Sequence, residues 1–159
     1  MYKRILVPVD ASETSNRALA AAIEMAQAFN ARLRLLHVVE VSSYLAGIDM
    51  YGAYSGEVIA AMTRAGEKTV ADGLRIAQAA GVEADCMVHD KFGALGESVA
   101  TAAKLWDADL VVVGSHGRRG IGRVLMGSGA EQIVRLSPVP VLVIRAASAS
   151  DDAQPPARP

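Results

Sequence analysis

The chain has 159 residues, enough for one domain with a full-sized core, and a formal net charge of −1, which gives no basis for a broadly basic nucleic-acid-binding face. Hydrophobic residues make up 52% of the chain but aromatics only 4%, so the core must be built from Ala, Val, Leu and Ile, as suits helices packed on a parallel sheet. A single cysteine, Cys86, excludes an intramolecular disulfide, and the apolar run after Met1-Tyr2-Lys3-Arg4 is too short for a signal-peptide core or a membrane span. A cytoplasmic, reduced protein with no membrane partner is expected.

Strand-length apolar runs then alternate with longer helical patterns. A strand over 3–9 contains Ile5-Leu6-Val7, apolar on both faces as a central strand requires; Pro8 near its end cannot donate to a ladder. In a helix over 13–29, Ala18, Ala22, Met25, Ala26 and Phe29 recur at helical spacing, with Ser12 as N-cap and Asn30 as stop. The strand 32–39 alternates through Arg32-Leu33-Arg34-Leu35 before turning apolar. Residues 42–56 hold three of the four tyrosines and break the rhythm; they read equally as a functional loop or an insertion. A helix over roughly 56–80 leads to a strand over 82–88, whose alternation predicts a sheet edge with one wet face and makes Cys86 a buried structural thiol. Next come a helix over 95–105, the fully apolar strand 109–114, a helix over 128–136 and a last strand over 139–145. The tail 146–159, with three prolines, is predicted to be disordered. Alternation of this kind implies an α/β fold: an open parallel sheet with right-handed crossovers and helices on both faces.

The chemistry gathers after the fourth strand. From Gly114 to Ser128 the chain reads Gly-Ser-His-Gly-Arg-Arg-Gly-Ile-Gly-Arg-Val-Leu-Met-Gly-Ser, a glycine-rich, arginine-bearing loop that opens a helix. Glycine lets backbone N–H groups converge without a Cβ in the way, and a helix start adds partial positive charge, so the segment suits phosphate. Ser128-Gly129-Ala130-Glu131 is also a capping-box pattern, so Ser128 reads as a phosphate contact, as a helix cap, or as both. Arg118, Arg119 and Arg123 form a local cluster suited to neutralising a small anion or to plain solvation. If the first and fourth strands are neighbours, Asp10 and Gly114 meet in one crevice. Asp10 then touches a ligand's base or ribose, helps hold a metal, or caps a helix. His37, His89 and His116 are scattered, without metal-ligand spacing; His116 in the loop either packs on the ligand or is merely exposed. The first strand runs into Asp10-Ala11-Ser12-Glu13 with no glycine, so a dinucleotide fingerprint is absent there, as are a phosphate-binding Gly-x4-Gly-Lys loop and a serine-hydrolase elbow.

The spacing Gly114-x2-Gly117-x9-Gly127-Ser128 resembles that of the ATP-binding members of the universal stress protein family. The opening Ile5-Leu6-Val7-Pro8-Val9-Asp10 and the closing Pro138-Val139-Pro140-Val141-Leu142-Val143-Ile144-Arg145 resemble that family's ends, and the likeness covers about residues 1–145. The resemblance implies a five-stranded parallel sheet in the order 3-2-1-4-5, a Rossmann-like nucleotide-binding domain over 1–145, and ATP between the first and fourth strands, with Mg admissible beside it. It implies that Pro8, Val9 and Asp10 flank the adenosine, Val39 packs near the base and Gly114 lies by the ribose. Gly117, Gly127 and Ser128 then hold the phosphates, with His116 and Arg118 in the same loop. Gly129 departs from the β-branched residue often found after the motif serine, which is expected to loosen the first helical turn by under ~1 kcal/mol.

The functional expectation is an ATP-binding regulatory, stress-response protein whose nucleotide state an unidentified partner reads. The alternatives are a slow ATP hydrolase or self-phosphorylating protein, for which no activating base is evident, and a scaffold without nucleotide. A homodimer through strand 139–145 is also expected, because a strand apolar on both faces would otherwise lie at an open sheet edge.

Overall fold

The computed structural model describes residues 1–39, 55–89, 94–116 and 126–145. Within them strands and helices alternate as β1 (Arg4–Pro8), α1 (Glu13–Phe29), β2 (Arg32–Val38), α2 (Ser55–Ala79), β3 (Ala84–His89), α3 (Leu95–Leu105), β4 (Leu110–Gly114), α4 (Ser128–Leu136) and β5 (Val141–Ile144). Ser55 and Gly56, expected in the loop, instead begin α2; residues 42–54 of that loop and the tail 146–159 lie outside the described residues.

All the strands pair in parallel in one five-stranded sheet, order β3-β2-β1-β4-β5. This is the expected order, with the alternating strand β3 at one edge and the short β5 at the other. The chain winds outward from β1 through β2 to β3, then returns to the far side of β1 for β4. The switch point therefore falls between the carboxyl ends of β1 and β4, where open α/β sheets bind ligands.

Side-chain alternation along the strands divides the core between two faces. Ile5, Val7, Val9, Leu33, Leu35, Leu110 and Val112 pack with α1 and α2 residues such as Ala22, Val70 and Ala77. On the other face Leu6, Leu36, Val38, Val111 and Val113 pack with Val99, Ala102, Ala103 and Ile133 of α3 and α4. Small residues on the helices let them sit close to the sheet, as an aliphatic, aromatic-poor sequence demands. At the β2–β3 edge, Arg34 grips the Asp85 carboxylate at 2.5 and 2.8 Å while its guanidinium lies 4.8 Å over the Trp106 ring. The hydrogen bonds to Asp85 raise the Arg34 pKa further above its already high value.

Pro8 fits because of its neighbours. Val9 N–H donates to Leu36 O on the β2 side, so by strand alternation the Pro8 nitrogen faces β4. There the register pairs only Ile5 with Leu110 and Leu6 with Val111. The proline stands where β1 and β4 have already parted, and its missing donor keeps them apart.

Cys86 corrects one expectation. It is half-buried, packed against the α1–α2 face from the edge strand, where fewer neighbours cover it than in a central strand. Burial pushes its thiol pKa up, and the Asp85 carboxylate adds to the shift.

Candidate functional site

At the end of β1 the chain makes a sharp turn into α1, and its polar groups satisfy one another. Ser12 Oγ caps α1 by accepting from Ser15 N–H at 3.2 Å. Asp10 Oδ1 accepts from Ser12 N–H at 2.9 Å, and Asp10 N–H donates to Ser15 Oγ at 3.1 Å. Between them Ala11 holds φ 63°, a left-handed conformation an alanine rarely adopts, so this turn stores strain that its hydrogen bonds must hold.

The end of β4 meets that turn directly. A Cβ on Gly114 would lie 2.7 Å from Thr14 C, 2.8 Å from Thr14 O and 2.9 Å from Ser15 N, so only glycine admits the first turn of α1 here. The Thr14 hydroxyl donates to the His116 carbonyl, and the buried Ser115 hydroxyl lies 3.0 Å from His116 Nδ1. Asp10 and Gly114 thus both meet the first turn of α1, Asp10 through Ser12 and Ser15 and Gly114 against Thr14 and Ser15. The glycine at 114, however, is required by helix packing.

The start of α4 is built differently. Gly127 N–H donates to Ser115 O at 2.8 Å, and a Cβ on Gly127 would sit 3.2 Å from Ser115 O and 3.3 Å from His116 Cα. Gly127 is the N-cap and has no side chain to cap with; its carbonyl accepts from Glu131 N–H at 3.0 Å. The expected capping box is therefore not formed. Ser128 is the exposed first residue of the helix, because the Gly127–Ser115 bond sets the turn one residue earlier. Gly129 does more than loosen the turn: a Cβ there would lie 2.7 Å from Leu95 Cδ2, so the glycine makes room for α3 against α4.

Val39 is 1% exposed after β2, tied by its N–H to His89 O at 2.8 Å. Pro8, Val9, Asp10, Val39, Gly114, His116, Gly127 and Ser128 all lie at the carboxyl end of the sheet. Gly117, Arg118, Arg119 and Arg123 fall outside the described residues. A small cleft of about 220 Å³ opens beside the α4 start, lined by Ser115, His116, Met126, Val143 and Arg145. Ser115 and Arg145, with Thr14 and Ser15, are residues of this end that the sequence did not mark as site candidates, and His37 was considered only as a metal ligand; for Ser115 and Arg145 the signal available was a polar residue directly after an apolar strand.

A five-stranded parallel sheet in this order, with one capped and one open helix start at its switch point, agrees with the comparisons to known proteins. The sequence pattern of the universal stress protein family matches residues 1–145. The chain belongs to the universal stress protein family. It is 31% identical over 150 residues to universal stress protein YxiE of Bacillus subtilis, covering 91% of this chain and 100% of the relative. The solved universal stress protein UspA of Lactobacillus plantarum superposes with a TM-score of 0.77 at 26% identity, covering 91% of this chain and 98% of that one. A universal stress protein solved in complex with cAMP superposes with a TM-score of 0.60 at 26% identity, covering 92% and 98%. Among the described residues no helix is long and apolar enough to cross a membrane.

Proposed function

We propose that this family member is an ATP-binding regulatory protein whose nucleotide lies across the β1–β4 switch point. The observation that carries the reading is the contrast between helix starts: Ser12 closes α1, whereas Gly127 leaves the first N–H groups of α4 without a side-chain cap. Anions favour such an open start, where the N–H groups and the helix dipole act together. A family structure holding cAMP supports an adenine nucleotide as the class of ligand.

In this reading Pro8, Val9 and Asp10 border the adenosine, Val39 packs by the base, and the Gly114 backbone lies by the ribose. Gly127 and Ser128 hold phosphate oxygens, and Gly117, His116 and Arg118 complete the loop around them. Mg is bound through one or two carboxylates together with substrate phosphates, and Asp10 is the carboxylate at the end of β1 that would join them. ATP turnover is expected to be slow, since Asp10 Oδ1 is engaged with Ser12 N–H and the sequence places no evident base to activate water. Denaturing protein purified without added nucleotide and identifying what is released tests the reading. Stoichiometric ATP or ADP supports it; no released nucleotide together with no ATP binding on titration rejects it.

The second part of the proposal is a cytoplasmic homodimer through 139–145 that offers its nucleotide state to a regulatory partner. Among the described residues β5 pairs with β4 alone, and its even-numbered carbonyls at Pro140 and Ile144 are used there. The N–H groups of Val141 and Val143 therefore face the open edge, and Leu142 is 37% exposed beside them. Because Val141 and Val143 pack into the core, Leu142→Lys is the variant of choice. Sedimentation should show a wild-type dimer and a shift of the variant toward monomer; a wild-type monomer at micromolar concentration removes the interface.

A further inference from the structure

We infer that His37 and Ser15 are positioning residues that clamp the Val9–Asp10 peptide from both ends and so set the adenosine side of the site; this rests on the nucleotide reading above. The Val9 carbonyl and the Asp10 N–H belong to one amide plane. His37 Nδ1 lies 2.7 Å from Val9 O, and because a carbonyl only accepts, Nδ1 carries the hydrogen. At the other end of the plane Asp10 N–H donates to Ser15 Oγ at 3.1 Å. One clamp comes from β2 and the other from α1, so the peptide between the two candidate adenosine residues is fixed by elements on either side.

The clamp takes over where the sheet stops. The β1–β2 register ends at Pro8 with Leu36, and Val9 N–H to Leu36 O at 2.8 Å is the last backbone bond of that ladder. Beyond it the His37 side chain supplies the donor to Val9 O. Room for the ring comes from α2, where a Cβ on Gly66 would lie 2.4 Å from His37 Cδ2 and 3.0 Å from Nε2. Ser15 is 4% exposed, and its own N–H is spent on Ser12 Oγ. The next residue after the clamped peptide is Ala11 at φ 63°, so losing the clamp removes one of the restraints, beside the Asp10 Oδ1–Ser12 bond, that hold Asp10 and the strained turn in place. A peptide held in its bound orientation before the ligand arrives spares the ordering that binding otherwise requires.

The test uses the full chain freed of nucleotide. ATP titration by calorimetry is run on wild type, His37→Leu, His37→Asn and Ser15→Ala, with amide exchange at Asp10 measured without nucleotide. His37→Leu and Ser15→Ala should each weaken ATP binding, His37→Leu by about tenfold, and both should speed Asp10 exchange more than exchange in the core strands. His37→Asn, whose amide can donate in place of Nδ1, should restore affinity to within about threefold of wild type. A merely structural histidine would lower Tm in both His37 variants and leave affinity and Asp10 exchange unmoved, which overturns the inference. If His37→Leu does not fold, Ser15→Ala decides: wild-type affinity in that variant overturns the clamp. If wild type itself binds no ATP, the nucleotide reading fails and the clamp's role in binding falls with it, whatever the exchange data show.

Discussion

The two connections at the switch point of the sheet, after β1 and after β4, solve the same problem in opposite ways. The β1–α1 turn spans Asp10, Ala11 and Ser12 and closes on itself: Ser12 caps the helix, Asp10 binds Ser12 N–H, and Ser15 holds Asp10 N–H. Among the described residues the entry to α4 is held by the backbone bond Gly127 N–H to Ser115 O, and its cap residue has no side chain. A helix start whose N3 donor is already held by its own cap, as Ser15 N–H is by Ser12, offers less to phosphate than one with no side-chain cap. In the proposed reading the first connection is a wall of the site and the second its receptor for charge.

The comparison breaks most severely at Gly114, where the wall leans on β4. Gly114→Val places atoms against the Thr14 and Ser15 backbone, which cannot swing aside as a side chain can, and is expected to destabilise by about 3 kcal/mol. Urea unfolding within ~0.5 kcal/mol of wild type would show that α1 does not depend on this contact. Gly127→Val meets Ser115 O at 3.2 Å and His116 Cα at 3.3 Å, contacts that a small shift relieves. It should lose only about 1 kcal/mol of stability but about tenfold in ATP affinity; unchanged affinity in the folded variant takes the α4 start out of the site. Ser12→Ala removes the α1 cap and should lose about 1 kcal/mol while ATP affinity stays within about twofold. A larger loss of affinity would mean that the wall also touches ligand. The smallest effect is expected for Ala11→Gly, a gain of up to ~1 kcal/mol in urea unfolding as the left-handed strain at φ 63° is released. A loss instead would show that the turn is not strained.

Much of this architecture was legible in the chain itself. Apolar runs at strand length, helical spacing between them and the contrast between alternating 82–88 and continuous 109–114 give the element order and the edge strand β3. Ser12 and Asn30 bracket α1 as read, since capping is a local matter of one side chain or one left-handed residue. The same local logic misplaced the cap of α4. Ser128-x-x-Glu131 has the pattern of a capping box, but a backbone bond from Gly127 to Ser115, made across the fold, moves the cap one residue upstream.

The sequence by itself determined which segments pair and bury, because hydrophobic period and chain alternation are properties of neighbours along the chain. It also marked the glycine-rich segment after β4, whose composition permits backbone approach wherever it is placed. Only the tertiary structure decided what the described glycines there are for. Gly114 is glycine because α1 begins against it, and Gly129 because the Leu95 side chain of α3 lies against it. His37, a histidine among leucines and valines in the sequence, becomes a donor to Val9 only where the β1–β2 ladder ends and Gly66 leaves a hollow above it. Such roles depend on distances between residues far apart in the chain, and those distances are set by the packing of helices on the sheet.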